Sequence, residues 1–110
     1  MMSTPEAPLV VDVTGAGTDA VVLTLRGELD PHTAPQLAAA VDQAVGDDTR
    51  EVVLDLSGIL FVDSSGLRVI ISTYRTMTDR DGRFVLRAPS ATTRRILDVT
   101  GLADLIEVEA

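Results

Sequence analysis

Two adjacent serines, Ser64 and Ser65, stand between Asp63 and Gly66-Leu67 in the run Phe61-Val-Asp-Ser-Ser-Gly-Leu67. An apolar strand pattern runs out before them and a helical pattern begins after them. A hydroxyl at such a junction can do two things. It can cap the helix, because Ser and Asp side chains satisfy the free N–H groups of a first turn. It can also accept a phosphoryl group, which adds roughly −1.5 to −2 charges and three acceptor oxygens. The helix N-terminus favours negative charge, so the fold is expected to survive the modification. A partner that desolvates this loop would not tolerate the dianion. The chemistry expected of the segment is therefore a switch acting on binding. Ser64 is the first candidate for modification and Ser65 the second, with Asp63 and Gly66 shaping their loop.

A second constellation is Asp30 with His32 and Thr33. As plain structure it reads as turn chemistry at a strand end plus a solvated histidine. As function it reads as a docking rim beside Ser64. Ser64, His32 and Asp30 superficially suggest a hydrolytic triad. The nucleophile-elbow pattern Gly-x-Ser-x-Gly is absent around Ser64, however, and the chain has no Walker-type phosphate loop. Asp30 and Asp63 form a conceivable carboxylate or magnesium pair, but both flank turns. No catalytic residue, metal ligand or cofactor site is assigned. Ser90, Thr92 and Thr93 read as ordinary helix-start residues, and Arg94 and Arg95 as a solvated face.

Composition narrows the partners. The formal net charge of −8 repels a phosphate backbone. Tyr74, Phe61 and Phe84 are the only aromatic residues, too few for base stacking. Nucleic acid is therefore not an expected partner. Cysteine is absent, which excludes disulfides and thiolate chemistry. No apolar run approaches the ~20 residues of a membrane helix, and residues 1–8 lack the pattern of a signal peptide. A cytoplasmic protein without membrane contact is the default expectation. At 110 residues the chain fits one domain. It is read as a disordered tail over 1–8 and a folded unit over 9–110.

The elements that must position these residues follow from periodicity. Leu9–Val13 and Ala20–Arg26 read as a hairpin across the turn residues Gly15–Asp19. Thr33 with Gln36 forms a capping-box pattern, and Pro35 is tolerated in the first turn. Ala34, Leu37, Ala38, Val41, Ala44 and Val45 then make one apolar helical stripe. Glu51–Leu56 is the third strand, with Val52-Val-Leu54 suited to a buried central position. The next helix runs from about Ser65 to Arg80, capped by Asp63, with Leu67, Ile70, Ile71, Tyr74 and Met77 inward and Gly82 as its C-cap. Arg83–Arg87 is the fourth strand. Ser90 caps a third helix that ends near Gly101, and Leu105–Val108 is a last short strand.

The order β-β-α-β-α-β-α-β predicts an α/β fold. Its sheet is small, mixed and mainly parallel, with helices mainly on one face and the first strand antiparallel at an edge. Strand-to-helix loops of a parallel sheet emerge at one edge, where function usually sits. Gly27–Thr33, Ser57–Ser64 and Ala88–Ser90 are expected to meet there.

Taken together, the chain resembles a STAS domain, in particular the bacterial anti-sigma factor antagonists of the sporulation and stress-response type. The landmarks are Leu25-Arg-Gly-Glu-Leu-Asp30 with Thr33, Val53-Leu-Asp-Leu56, Phe61-Val-Asp-Ser-Ser-Gly-Leu67 and Asp98-Val-Thr-Gly-Leu102. They cover about Leu9 to Glu109. The resemblance implies that the first serine of Asp-Ser-Ser-Gly-Leu, Ser64, is the phosphoacceptor. It implies an anti-sigma factor with serine kinase activity as partner and a metal-dependent serine phosphatase that reverses the modification. In that scheme the unphosphorylated protein binds the anti-sigma factor and frees a sigma factor. Asp30 falls on the position usually counted in the partner surface, and Asp30, His32, Thr33, Asp63, Ser65 and Gly66 are the expected docking residues. The alternative is an interaction module of the same fold without the switch, in a transport or stress-signalling assembly. The expected assembly state is a monomer or a weak homodimer.

Overall fold

The computed structural model describes residues 9–110. The tail read over 1–8 lies outside the described residues. β1 (Leu9–Thr14) and β2 (Ala20–Leu29) form the expected antiparallel hairpin. α1 (Ala34–Ala44), β3 (Glu51–Val62), α2 (Ser64–Asp79), β4 (Arg83–Arg87) and α3 (Ala91–Val99) follow, then a single turn, α4 (Leu102–Leu105), and β5 (Glu107–Glu109). The strands lie side by side in sequence order and are parallel from β2 onward. The mainly parallel α/β fold is thus observed, with α4 the one unanticipated element.

Packing follows from alternation along the strands. Leu23 and Leu25 of β2, Leu54 and Leu56 of β3 and Leu86 of β4 are fully buried beside Leu37, Ile70 and Met77 of the helices. Each such side chain contributes roughly 1.5–3 kcal/mol on leaving water. The opposite face of the sheet carries charge. Val22, Val53 and Val85 occupy one row across it, and Val53 and Val85 are buried. Arg83, in a flanking row, donates to Glu51 on one side and Glu107 on the other. In the other flanking row, Arg87 donates to Glu109 at 2.9 Å.

β3 departs from expectation. It continues through Ser57-Gly58 to Val62 instead of ending at Leu56. Thr24 pairs with Asp55, Arg26 with Gly58, Gly27 with Ile59 and Glu28 with Phe61. At two steps β3 spends one residue more than β2, which is the signature of a bulge. The extra residues break the period-of-two pattern, so this stretch reads as a loop in sequence. The buried positions become Leu56, Ile59 and Val62, three apart. β2 likewise runs past Arg26 to Leu29.

Helix ends are partly as expected. Asp63 caps α2 and Ser90 caps α3, each through its side-chain oxygen. Thr33 does not cap α1, and the capping box with Gln36 does not form. The Thr33 hydroxyl is diverted, donating to the carbonyl of Glu28 at 2.7 Å. The Gln36 amide reaches across to the carbonyl of Leu9 at 2.9 Å. At the end of α2 the left-handed residue is Asp81 (φ 57°), one place before Gly82. The amides of Gly82 and Asp81 return to Met77 and Thr78, which makes a Schellman motif. Of the α2 stripe, Ile70 and Met77 are buried, while Leu67, Ile71 and Tyr74 are half-buried against the core. Thr73 is also buried, its hydroxyl returned to the carbonyl of Val69 at 2.9 Å.

Candidate functional site: the start of α2 and its two clefts

The parallel register brings Leu29 of β2 level with Val62 of β3. The backbone amide of Asp63 then donates to the carbonyl of Leu29 at 3.0 Å. Asp63 Oδ1 accepts from the amides of Ser65 at 2.8 Å and Gly66 at 3.3 Å. The amide of Leu67 returns to the backbone carbonyl of Asp63. Gly66 is buried against β2. A Cβ there would lie 2.7 Å from Cβ of Leu29, so only glycine lets helix and strand approach this closely.

Ser64 and Ser65 face different surroundings. Ser64 is exposed and lines a shallow cleft with Leu67, Arg68, Ile71, Thr100 and Leu102. Ser65 is half-buried and turns to the other side of the helix. There it borders a groove of about 570 Å³ between α1 and α2, floored by side chains such as Ala38, Val41, Val69 and Met77. Arg68 borders both spaces.

Asp30 organises the turn between β2 and α1. Its Oδ1 accepts from the amides of His32 and Thr33, each at 2.9 Å, and from the Thr33 hydroxyl at 3.2 Å. The Thr33 amide, and after it the His32 amide and the Thr33 hydroxyl, hold the Asp30 carboxyl below its ordinary value, while partial burial opposes them. Thr33 itself is buried, and its Oγ1 also accepts from the amide of Asp30. His32 is exposed, and its imidazole forms no hydrogen bond with Asp30 or Ser64 among the described residues. Asp30 Oδ1 serves the turn and does not orient the imidazole. Among the described residues no three His, Asp or Glu side chains are grouped to hold a metal ion.

Of the three loops expected to meet, two do: the ends of β2 and β3 converge at Leu29 and Asp63. The third does not line the Ser64 cleft. Arg87, at the end of β4, pairs with Asp55, seven residues before Val62, so Ala88–Ser90 leaves the sheet well short of Ser64. α3 instead packs along β3. Gly101, in the left-handed region at φ 80°, reverses the chain so that Thr100 and Leu102 both reach the cleft. Sequence reasoning missed these two and Arg68. It also missed Leu60 and Phe61, 73% and 46% exposed just before Asp63. Large exposed apolar side chains beside a polar loop suit a protein interface.

Comparison with known proteins gives one consistent family. The STAS domain matches residues 9–110. An anti-sigma F factor antagonist of Lysinibacillus sphaericus is 34% identical over 85 residues, covering 76% of this chain and 73% of that protein. The crystal structure of an anti-sigma factor antagonist from Mycobacterium paratuberculosis superposes with a TM-score of 0.82 at 30% identity, covering 98% of this chain and 90% of that one. The Bacillus antagonist SpoIIAA, 25% identical, is similar in its unphosphorylated form (TM-score 0.78, covering 92% and 89%). Its phosphorylated form is also similar (TM-score 0.72, covering 92% of each chain). Sequence landmarks, sheet order and these likenesses agree: the chain belongs to the STAS-domain family.

Proposed function

We propose that this protein is an anti-sigma factor antagonist, a binding protein whose docking is switched at Ser64. The observation that carries the proposal is the placement of Ser64. Its side chain is exposed at the first position of α2, in a cleft flanked by apolar residues. No base is hydrogen-bonded to it among the described residues, which favours modification over catalysis. The relatives named above support the antagonist role, and SpoIIAA is known in both phosphorylation states.

In this reading the unphosphorylated protein docks onto an anti-sigma factor with serine kinase activity and frees the sigma factor. Leu60 and Phe61 supply apolar contact, and His32 and Ser64 lie at the rim. Asp30, Thr33, Asp63 and Gly66 act by holding the two turns in shape, since Thr33 and Gly66 are buried. Ser65 borders the α1–α2 groove. Phosphorylation places a dianion in a surface that docking must desolvate, a cost that a single counter-charge offsets only in part. A serine phosphatase restores the docking state. A module without the switch would bind equally well in either state.

The test is incubation with a kinase-type anti-sigma factor of the same organism and ATP, followed by mass-spectrometric mapping. Phosphate on Ser64, with release of the complex, is the expected result. Phosphate confined to sites outside Ser64 and Ser65 overturns the proposal.

A further inference from the structure

We infer that Arg68 is the built-in counter-charge for a phosphoryl group on Ser64. This inference rests on the reading of Ser64 as a phosphoacceptor. A helix N-terminus ordinarily neutralises a phosphate through its free amides. Here most of those amides are already used, that of Ser64 itself excepted. Asp63 Oδ1 holds the amides of Ser65 and Gly66, and the Asp63 carbonyl holds that of Leu67. Asp63 also adds a negative charge beside the modified residue. One free amide offsets little of a dianion beside Asp63, so a side-chain cation is the stronger source of compensation.

Among the described residues, Arg68 is the only cationic one lining the Ser64 cleft. It stands four residues after Ser64 on α2, so both side chains emerge on one face of the helix. Helical side chains lean toward the N-terminus, which sends the Arg68 stem back over the turn that carries Ser64. An anion four residues before a cation is also the better of the two orders. Among the described residues no carboxylate lies within ion-pair distance of Arg68, whereas Arg83, Arg87 and Arg94 are paired. Thr100, the other polar residue that faces the cleft, already donates its hydroxyl to the carbonyls of Ile96 and Leu97. Arg68 is thus free to receive the phosphate, and guanidinium–phosphate pairing is strong and two-pronged. The phosphoryl group would lie folded along α2, held by its own chain.

The test uses protein carrying phosphoserine installed at position 64 during synthesis, so it does not depend on any kinase. The second ionisation of the phosphate, near pH 6 for free phosphoserine, is followed by phosphorus NMR. Arg68→Gln is expected to raise this ionisation by about 0.2–0.4 unit relative to the otherwise unaltered chain. Arg68→Lys is expected to retain most of the lowering. Arg75→Gln, an exposed change outside the cleft, is expected to leave it unmoved. Equal titration in the Arg68→Gln and unaltered chains overturns the inference and leaves the phosphoacceptor reading intact. Failure of a kinase to modify Ser64 would instead overturn the phosphoacceptor reading, and this inference with it, whatever the titration shows.

Discussion

The amide of Asp63 donates to the carbonyl of Leu29, joining the start of α2 to the end of β2. Strand pairing alone would leave the helix free to tilt, because Leu29↔Val62 is the last pair of the β2–β3 ladder. The extra bond, with Gly66 seated on Leu29, sets where the Ser64 hydroxyl emerges.

Gly66→Ala tests this seating. The new methyl would fall 2.7 Å from Cβ of Leu29 and 3.3 Å from Cγ1 of Val62, both on backbone-anchored parts of their side chains. The helix must move outward to admit it. Overpacking of this kind costs typically 1–3 kcal/mol. Urea unfolding is expected to show a loss in that range. A stability equal to that of the unaltered chain would mean the contact between α2 and β2 is looser than described.

Asp63 contributes separately, through its cap. Removing a capping oxygen from a first helical turn costs about 1 kcal/mol. Asp63→Ala is expected to lower stability by that amount in the same unfolding assay. Asp63→Asn keeps an accepting oxygen and is expected to lose only a few tenths of a kcal/mol. An equal loss in both variants would show that charge at this position matters more than the hydrogen bonds.

What was legible in the sequence divides along the range of the interactions. The caps of α2 and α3 could be read because Asp63 and Ser90 bond to amides two or three residues away. The parallel order followed from alternating elements. Thr33 misled because its hydroxyl had a competing acceptor, the carbonyl of Glu28 on the preceding strand. The full extent of β3 was hidden because two bulges destroy the alternation that marks a strand. Ser64 was found from its local motif, but the other wall of its cleft was not. Thr100 and Leu102 lie more than 35 positions away, delivered by the reversal at Gly101. No short-range pattern encodes that meeting.

Acid lability should arise partly at two carboxylates. The Thr33 amide holds Asp30 below its ordinary value of 3.8. Hydrogen bonding from Arg83 holds Glu107 below its ordinary 4.5. A carboxyl more acidic when folded than unfolded binds fewer protons in the native state. Its contribution is therefore complete above the unfolded value and fades as pH falls through the lower folded one. Stability attributable to both groups should hold above about pH 5 and decline through the range below 4.5. Asp30→Asn and Glu107→Gln are each expected to flatten that decline, and distant sites should add. Salt should weaken the Glu107 part selectively, since its partner is an exposed arginine. Denaturant midpoints measured from pH 3 to 7 check this. Unchanged pH profiles in both variants would assign the acid sensitivity elsewhere.

The two serines offer the sharpest separation of fold from function. They are neighbours in sequence but about 100° apart around the helix, and they border different spaces. Ser64 is exposed, so Ser64→Asp should leave stability within about 0.5 kcal/mol of the unaltered chain. Its cost should fall on docking, where a charge forced into a desolvated surface is worth about 2 kcal/mol, or roughly thirtyfold in affinity. Ser65 is half-buried beside the α1–α2 groove, and its amide is tied to Asp63. Ser65→Asp sets a second carboxylate close to the first with less water to screen it. Its cost should fall on stability first, by about 1 kcal/mol. Calorimetric titration with the anti-sigma factor, paired with urea unfolding of each variant, reads both quantities. If Ser65→Asp abolished docking at unchanged stability while Ser64→Asp bound normally, the switch would belong to the groove between α1 and α2, and the cleft at Thr100 and Leu102 would have no part in it.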